Sequence, residues 1–276
     1  LKIARKLIFS KWKAAFGGEL HTMVSGSAAL HPRLARIFCA SGMMIMEGYG
    51  LTETSPVVSV GMHANHHFKI GTVGKPISNV EVKIAEDGEI LIKGPNVMVG
   101  YFKDPEKTAE VMSGDYFHTG DKGEIDSDGF LKITGRKKEM FKTSGGKYII
   151  PTLIENDLKE SNFIEQVMVI GENQKMPAAL IQLNFEFVQE WIERKKIDLE
   201  TTPEAICTSD IIIERIQKEV SKSNQGFGKW EQIKRFELTP EVWCIEGGHL
   251  TPTMKMKRSV IFDLYKELAA KIYTDA

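Results

Sequence analysis

The sequence lacks the features of disulfide-rich, zinc-binding and membrane-spanning proteins. Its three cysteines, Cys39, Cys207 and Cys244, lie far apart and form no C-x-x-C pair. Neither a disulfide framework nor a zinc site is therefore expected, and the free thiols fit a reducing, cytoplasmic compartment. No apolar run approaches the roughly 20 residues that a helix needs to cross a bilayer.

An excess of either charge is also missing, since 36 Lys and Arg residues stand against 37 Asp and Glu residues. This balance argues against nucleic acid or an anionic membrane surface as a partner. The length of 276 residues, 42% of them hydrophobic, is typical of a soluble globular protein with one large or two modest domains. The basic N-terminal stretch has no cleavage site and no initiator Met, so we interpret it as an internal helix.

The pattern along the chain changes twice and predicts two domains. Residues 1–60 alternate helix and strand signals and read as α/β, and residues 70–135 form short runs separated by turn signals, which predicts an antiparallel β subdomain. The rest of the chain mixes helices with strands and predicts a small α+β domain. The boundary is expected within residues 135–138, which gives domains of residues 1–135 and 136–276.

Individual elements follow from periodicity and from turn or capping residues. Helices are predicted at residues 1–15, 32–40, 185–195, 211–221 and 257–272, and another begins at Pro151. Strands are predicted at residues 20–24, 43–46, 80–84, 89–93, 123–125, 130–134, 167–170, 178–183 and 233–238, with a hairpin-like stretch over 136–148. Gly48 and Gly50 are expected to stop the strand at 43–46.

The first candidate motif is residues 49–54, YGLTET, directly after a buried strand. Its glycines allow close approach to a ligand, and two Thr hydroxyls with a carboxylate suit a phosphate and its Mg²⁺. The alternative is a plain strand-to-helix turn in which Thr52 is the N-cap.

The second motif is residues 116–121, YFHTGD. An Asp in a tight turn after aromatic residues can accept two hydrogen bonds from a ribose diol, and such charge-assisted bonds are strong. The alternative is an Asx-turn that links two strands.

Two basic segments complete the candidates. Residues 134–147 carry Arg136 and the pair Gly145-Gly146 at the predicted boundary, which suits a phosphate-contacting hinge and close passage of a slender ligand; a charged hairpin is the alternative. Residues 250–258 carry Lys255 and Lys257 on a polar loop. Such lysines are usually solvated, and they matter only if brought to a developing negative charge.

Together, these four motifs in this order resemble the AMP-forming acyl-adenylate enzymes, the superfamily of acyl-CoA synthetases, firefly luciferase and nonribosomal peptide adenylation domains. Residues 25–30, SGSAAL, are similar to the substrate-proximal segment of that family, with Ser27 and Ala29 as departures. The stretch from Gly120 to Pro151 looks most like the long-chain fatty acid–CoA ligases. The resemblance covers residues 20–265.

The resemblance implies a reaction in two halves, in which ATP and a fatty acid form acyl-AMP and pyrophosphate, and coenzyme A then releases AMP. By matching motifs, Tyr49 and Gly50 would flank the adenine, and Thr52 would bind the α-phosphate. The other implied roles are Mg²⁺ binding by Glu53, ribose binding by Asp121 and Arg136, neutralisation of charge during adenylation by Lys255, a hinge at Lys138, and a coenzyme A path along Gly145 and Gly146.

Departures from the family limit what the resemblance implies. The glycine that usually precedes the catalytic lysine is Met254, and no Gly/Ser/Thr-rich phosphate loop is present. The chain is thus expected to be the C-terminal part of a longer enzyme, inactive alone, whose parent is cytoplasmic with possible peripheral membrane association. Two alternatives remain: adenylation of an aryl, short-chain or amino acid, and a non-catalytic module that keeps the fold. Retention of the family's residue types at Thr52, Glu53, Asp121, Arg136 and Lys255 weighs against the second.

Overall fold

The computed structural model describes residues 5–30, 32–62 and 68–274, and the chain divides into two compact units. The first unit is Leu1–Lys137 and the second is Lys138–Ala276. Each unit combines helices with a sheet, and antiparallel pairing predominates. The predicted mixture of α/β and α+β architecture is confirmed.

The first unit alternates short helices and strands before it becomes mostly β. A π-helical turn, Arg5–Phe9, precedes its first α-helix, and a 3-10 turn, Thr52–Thr54, follows its second strand. In chain order the elements are α1 (Ser10–Ala15), β1 (Thr22–Ser25), α2 (Pro32–Ser41), β2 (Met44–Gly50), β3 (Val57–Val60), β4 (Lys75–Pro76), β5 (Glu81–Ile84), β6 (Glu89–Lys93), α3 (Pro105–Glu110), β7 (Met112–Ser113), β8 (Tyr116–Ile125) and β9 (Leu131–Arg136).

Two sheets organise the first unit. In one, β1 pairs parallel with β2, and β3 and β4 continue in antiparallel fashion. The other has the order β5-β6-β8-β7, with β9 also paired to β8, and all its pairs are antiparallel. The two D-G turn signals each join a hairpin, as predicted: in the β8–β9 turn, Asp126 accepts backbone hydrogen bonds from Gly129 and Phe130. Apolar residues of the two sheets form a small core that contains Val58, Ile90, Ile92 and Leu131.

The predicted end of the strand at 43–46 is wrong, because β2 runs through both glycines to Gly50. Gly48 pairs with Val60 and Gly50 pairs with Val57 on β3. The strand therefore continues through both glycines, because its backbone groups still find partners there. Gly50 is required for close packing, because a Cβ there would lie 1.6 Å from the carbonyl oxygen of Pro56.

The second unit begins with a short hairpin and continues as a helix-covered sheet. α4 begins at Pro151, as predicted, with the proline in the first turn, where its missing N–H costs nothing. Its elements are β10 (Phe141–Lys142), β11 (Tyr148–Ile149), α4 (Pro151–Leu158), β12 (Ile164–Ile170), β13 (Ala178–Leu183), α5 (Phe185–Lys195), α6 (Pro203–Thr208), α7 (Asp210–Ser223), β14 (Phe236–Thr239), α8 (Arg258–Leu264) and α9 (Lys266–Thr274).

The three-stranded sheet of the second unit is buried on both faces. β13 lies in the middle, antiparallel to β12 and parallel to β14, and all six of its side chains are buried. Ala179 and Ile181 pack with residues of α4, α5 and α7, whereas Ala178 and Leu180 pack with residues of α8 and α9. Successive strand side chains point to opposite faces, so a strand covered on both sides has a continuous apolar sequence.

Two predicted elements of this unit differ from the structure. The strand expected at 233–238 is β14, which begins at Phe236, because Ile233 instead has its backbone bonded to the side chain of Asn224. The helix expected at 257–272 is two helices that part at Tyr265. The buried Tyr265 hydroxyl donates to the Glu241 carboxylate and accepts from Trp243 Nε1, which ties this junction to the segment after β14.

Candidate functional site

A buried carboxylate, Asp121, joins two of the residues singled out in the sequence. Tyr49 Oη donates to Asp121 Oδ2 at 2.8 Å, and Arg136 Nε lies 2.9 Å from Asp121 Oδ1. The Asp121 side chain is 5% exposed, whereas that of Arg136 is 52% exposed. Burial, with the neighbouring charge of Asp121, raises the pKa of the Tyr49 phenol well above its usual value, so Tyr49 remains a donor. The cluster thus presents a fixed acceptor beside an exposed guanidinium.

The expected tight turn at Asp121 is wrong, and so is the alternative Asx-turn. Asp121 lies within β8, directly opposite Arg136 on β9. The glycine before it has a φ of 71°, a conformation that glycine adopts without strain, and the pairing with β9 shifts register between Lys122 and Gly123. The Gly120-Asp121 pair, which predicted a turn, therefore forms an irregularity within the long strand β8.

Glu89 on β6 supports this cluster through the neighbours of Asp121 and Arg136 in the chain. No local sequence pattern indicated this role for Glu89. Its Oε1 accepts from the backbone N–H of Gly120 at 2.9 Å, and its Oε2 lies 2.8 Å from Lys137 Nζ and 3.0 Å from His118 Nδ1. Burial raises its pKa, but the bonds from His118 and Lys137 outweigh burial and lower it overall. Glu89 therefore fixes the residue before Asp121 and the residue after Arg136.

The segment after β2 forms a 3-10 turn, Thr52–Thr54, so the alternative in which Thr52 is an N-cap is wrong. Leu51 occupies the cap position, and its N–H donates to Thr54 Oγ1 at 2.9 Å. Thr54 is buried and its hydroxyl donates to the backbone, whereas Thr52 is exposed. The turn thus leaves the Thr52 hydroxyl at the surface, where a ligand can reach it.

Glu53 is held by a tyrosine from a distant loop. Tyr101 Oη donates to Glu53 Oε1 at 2.9 Å, and the Glu53 carbonyl accepts from Met98 N–H at 2.8 Å. Tyr101 is itself fixed, because its N–H donates to Thr108 Oγ1 at 2.9 Å. Burial and the contact with Glu53 raise the pKa of Tyr101. Sequence reasoning missed Tyr101, which is 48 residues from Glu53.

In the second unit, Lys255 lies on a tight loop, residues 250–257, which we call the Lys255 loop. Leu250 and Met256 form a β-bridge, Thr251 N–H donates to the Lys255 carbonyl at 2.8 Å, and Lys255 N–H donates to Thr251 Oγ1 at 3.0 Å. The backbone is thus well ordered by hydrogen bonds, while the Lys255 side chain is exposed.

Met254 stands where the resemblance expects a glycine, and its φ is 61°. Its side chain is 61% exposed, so no packing offsets the cost of a left-handed conformation, about 1 kcal/mol for a residue with a Cβ. Met254 therefore adopts a left-handed backbone conformation, which glycine would adopt without strain.

Gly145 and Gly146 lie at the tip of the hairpin formed by β10 and β11, which we call the glycine hairpin. Gly146 has a φ of 75°, and its N–H donates to the Thr143 carbonyl at 2.9 Å. A Cβ on Gly146 would meet nothing within 4 Å, so the tip is open. Lys138 is exposed and is the first residue of the second unit, in the 3-10 turn Lys137–Glu139.

Comparison with known protein families decides the family. A model described as "AMP-binding enzyme" matches residues 2–102, and one described as "AMP-binding enzyme C-terminal domain" matches residues 139–276, half of the chain. The chain belongs to the AMP-binding enzyme family. The suspected resemblance to the acyl-adenylate enzymes is confirmed.

Two relatives of this AMP-binding chain are named long-chain fatty acid–CoA ligases. It is 37% identical over 268 residues to long-chain-fatty-acid–CoA ligase FadD15 of Mycobacterium bovis, which covers 97% of this chain and 44% of the relative. It is 33% identical over 285 residues to long-chain-fatty-acid–CoA ligase 1 of Homo sapiens, covering 98% of this chain and 40% of the relative. The chain thus spans less than half the length of these relatives.

Solved structures support the fold. The crystal structure of the anthranilate CoA ligase AuaEII in complex with anthranoyl-AMP superposes with a TM-score of 0.69 at 23% identity, covering 92% of this chain and 46% of that one. At this identity the likeness concerns the fold alone. The predicted fold class therefore agrees with a solved adenylate-forming enzyme.

Proposed function

We propose that this chain is part of an enzyme that activates a long-chain fatty acid with ATP, through acyl-AMP, to acyl-CoA, with release of AMP and pyrophosphate. The observation that carries the proposal is the buried Asp121 carboxylate between Tyr49 and the exposed Arg136, in a chain whose relatives are named long-chain fatty acid–CoA ligases. Because the chain spans less than half of those relatives, the activity belongs to the longer protein, and the chain alone is expected to be inactive.

The nucleotide is expected to bind to the first unit. A carboxylate can accept about four hydrogen bonds, and the Asp121 carboxylate, held by Tyr49 and Arg136, would accept from the ribose hydroxyls. Tyr49 and Gly50 would flank the adenine. The exposed Thr52 would donate its hydroxyl to the α-phosphate.

The carboxylate of Glu53 fits a magnesium ion. Among the described residues, no three His, Cys, Asp or Glu side chains gather into a metal cluster. Mg²⁺ is commonly held by one or two carboxylates together with substrate phosphates and waters, so a single Glu oriented by Tyr101 is an adequate protein ligand. When bound, the ion would neutralise charge on the phosphates.

Lys255 would act in the first half-reaction. The fatty acid carboxylate attacks the α-phosphorus, the bond to the β-phosphate oxygen breaks, and pyrophosphate leaves with its electron pair. Negative charge accumulates around phosphorus, and the ammonium of Lys255 would stabilise it. In the second half-reaction the coenzyme A thiol releases its proton to solvent, its sulfur bonds to the acyl carbon, and the bond from that carbon to the phosphate oxygen breaks, so that AMP leaves with the electron pair. Gly145 and Gly146, at the open tip of the glycine hairpin, would line the path of the thiol's slender arm.

Residues 1–135 would be the end of the large domain and residues 136–276 the small mobile domain, which reorients about Lys138 between the half-reactions. The division of the chain between Lys137 and Lys138 supports this position for the pivot.

Replacing Lys138 by proline in the full-length protein is expected to impair thioester formation about tenfold or more while adenylation changes little. Proline fixes φ near −65° and restricts the preceding residue, so it would hinder rotation rather than remove a chemical group. The measurement is the rate of each half-reaction: pyrophosphate exchange for adenylation, and acyl-CoA formation from supplied acyl-AMP.

Lys138→Ala is the matched control, since it removes the same side chain and leaves the backbone free to rotate. It is expected to keep both rates near wild type. Equal loss of the two half-reactions in Lys138→Pro would contradict the hinge.

The substrate class is tested by pyrophosphate exchange on the full-length protein with carboxylic acids from acetate to palmitate, together with aryl and amino acids. Exchange confined to long-chain acids is expected. Exchange only with short, aromatic or amino acids would keep adenylation but reject the fatty acid assignment. Absence of exchange with every acid would favour a non-catalytic nucleotide-binding module.

The fold alone does not determine where the protein is located in the cell. Within residues 5–30, 32–62 and 68–274, no helix has both the length and the apolar character to span a bilayer. We propose a cytoplasmic enzyme, with fatty acid, ATP and coenzyme A as its small-molecule partners, that meets its lipid substrate at the membrane surface.

A further inference from the structure

A charged contact with a buried carboxylate connects the core of the second unit to the beginning of α8. Glu155, on α4, has a side chain that is 5% exposed. Its Oε1 accepts from the backbone N–H of Val169 on β12 at 2.7 Å, and its Oε2 lies 2.6 Å from Arg258 Nη2. One carboxylate therefore joins three elements, α4, β12 and α8.

The energetics of burying charge argue against stability as the sole reason for this contact. Removing a charged pair from water costs several kcal/mol per ion, and replacing buried pairs by apolar groups is often neutral or stabilising. The apolar residues on the same helix, Ile154 and Leu158, already anchor α4 in the core. What the pair adds is geometry: it fixes where the chain enters α8.

That entry point is continuous with the Lys255 loop. Arg258 is the first residue of α8 and follows Lys255 by three positions, a span of at most about 10 Å along the chain. Between them, Met256 bridges to Leu250, and Lys257 N–H donates to the His249 carbonyl at 2.9 Å. The loop's C-terminal end thus passes without a flexible joint into the anchored residue.

Only the tip of the loop has few contacts to hold it. Residues 252–255 are all exposed, and Met254 carries a left-handed backbone without packing to stabilise it. The ends of the loop are held by the buried Leu250, by Met256, which packs against the core, and by the anchor at Arg258, and the tip is held by short-range hydrogen bonds around Thr251.

We propose that Glu155 and Arg258 are positioning residues for Lys255: their buried ion pair orients the Lys255 loop so that its ammonium can reach the α-phosphate during adenylation. The inference rests on the proposed function of Lys255. Neither residue touches the substrate, and both act through the backbone of the loop.

The test is a double variant, Glu155→Gln with Arg258→Met, in the full-length protein. The pair of substitutions removes both charges at nearly constant volume, so that no buried charge is left unpaired and the fold is retained. The amide oxygen of the new glutamine can still accept from Val169 N–H. The matched control is Glu237→Gln with Lys271→Met, which removes a pair on the same unit whose Lys271 is 66% exposed and whose atoms lie 3.0 Å apart.

The double variant is expected to lower kcat for pyrophosphate exchange about 10- to 100-fold, since a displacement of about 1 Å at a catalytic group costs that much. KM for ATP should change little, because the nucleotide contacts lie in the first unit. Acyl-CoA formation from supplied acyl-AMP, which does not use Lys255, should stay at the wild-type rate. Limited proteolysis within residues 251–257 should become faster, and the control pair should match wild type in every measurement.

A merely structural role would show differently, with a lower Tm and equal loss of both half-reactions; that result, or unchanged adenylation in a folded double variant, overturns the proposal. Lys255→Ala is measured alongside. If it keeps full exchange, the proposed role of Lys255 fails. If it loses exchange and the double variant does not, only the positioning role fails.

Discussion

Replacing Lys255 by alanine is expected to reduce pyrophosphate exchange by the full-length protein with long-chain acids about 100- to 1000-fold, the cost of losing a group that stabilises transition-state charge. The lysine side chain is exposed, so its removal leaves no cavity and no unpaired buried group. Folding stability should therefore stay within about 0.5 kcal/mol of wild type. Acyl-CoA formation from supplied acyl-AMP should be unaffected, because negative charge no longer builds up at a pentacoordinate phosphorus in that step.

Lys257→Ala is the matched control, because Lys257 is an exposed lysine two positions further along the same loop. It is expected to retain most of the exchange activity. A reversal of the two results would assign the catalytic role to Lys257, and equal mild losses in both variants would indicate that the loop contributes only a general positive charge.

Replacing Asp121 by asparagine should weaken ATP binding about 10- to 100-fold, because each charge-assisted hydrogen bond contributes about 1.5–3 kcal/mol. The amide group also presents a donor towards Tyr49 or Arg136, which are donors themselves. The first unit should lose about 1–3 kcal/mol of stability through the disrupted buried contacts. Isothermal titration with ATP and denaturant unfolding measure the two effects separately.

Two control variants separate nucleotide binding from folding. Tyr49→Phe removes one hydrogen-bond partner of Asp121 and keeps the carboxylate. It should lower the stability by about 1 kcal/mol and should reduce the affinity for ATP far less than Asp121→Asn does. Asp115→Asn changes an exposed carboxylate of the same unit, 73% exposed and paired with Lys93, and should alter stability by less than about 1 kcal/mol. If the Asp121→Asn variant binds ATP as tightly as wild type, Asp121 is not part of the nucleotide site, whatever the change in its stability.

Local signals in the sequence predicted the hairpin that creates the Asp121–Arg136 contact. The Asp-Gly turn at residues 128–129 predicted antiparallel pairing of its flanking strands, and that pairing extends back to Asp121 and forward to Arg136. What failed was the conformation at Asp121. A Gly-Asp pair is a turn signal in isolation, but pairing on both sides of β8 kept the strand extended and confined the glycine's positive φ to one residue.

The supporting residues could not be found by local patterns. Glu89 reaches Gly120 and Lys137, and Tyr101 reaches Glu53, across separations of 31 to 48 residues. Nothing in the residues around Glu89 distinguishes it from an ordinary polar strand residue, because its value comes from the strand pairing that buries it. The same holds for Glu155, whose helix was predicted from Pro151 but whose partner is 103 residues away.

The parallel pairing of β13 with β14 has a consequence for the order in which the second unit folds. The β12–β13 hairpin can form locally, but β14 joins only after the intervening chain, with α5, α6 and α7, has been ordered. Such long-range contacts form slowly, because the loss of chain entropy precedes the gain from contact. α8 and the Lys255 loop follow β14 in the chain and leave the ribosome later still. The Lys255 loop is thus expected to become ordered only after the three-stranded sheet against which α8 packs.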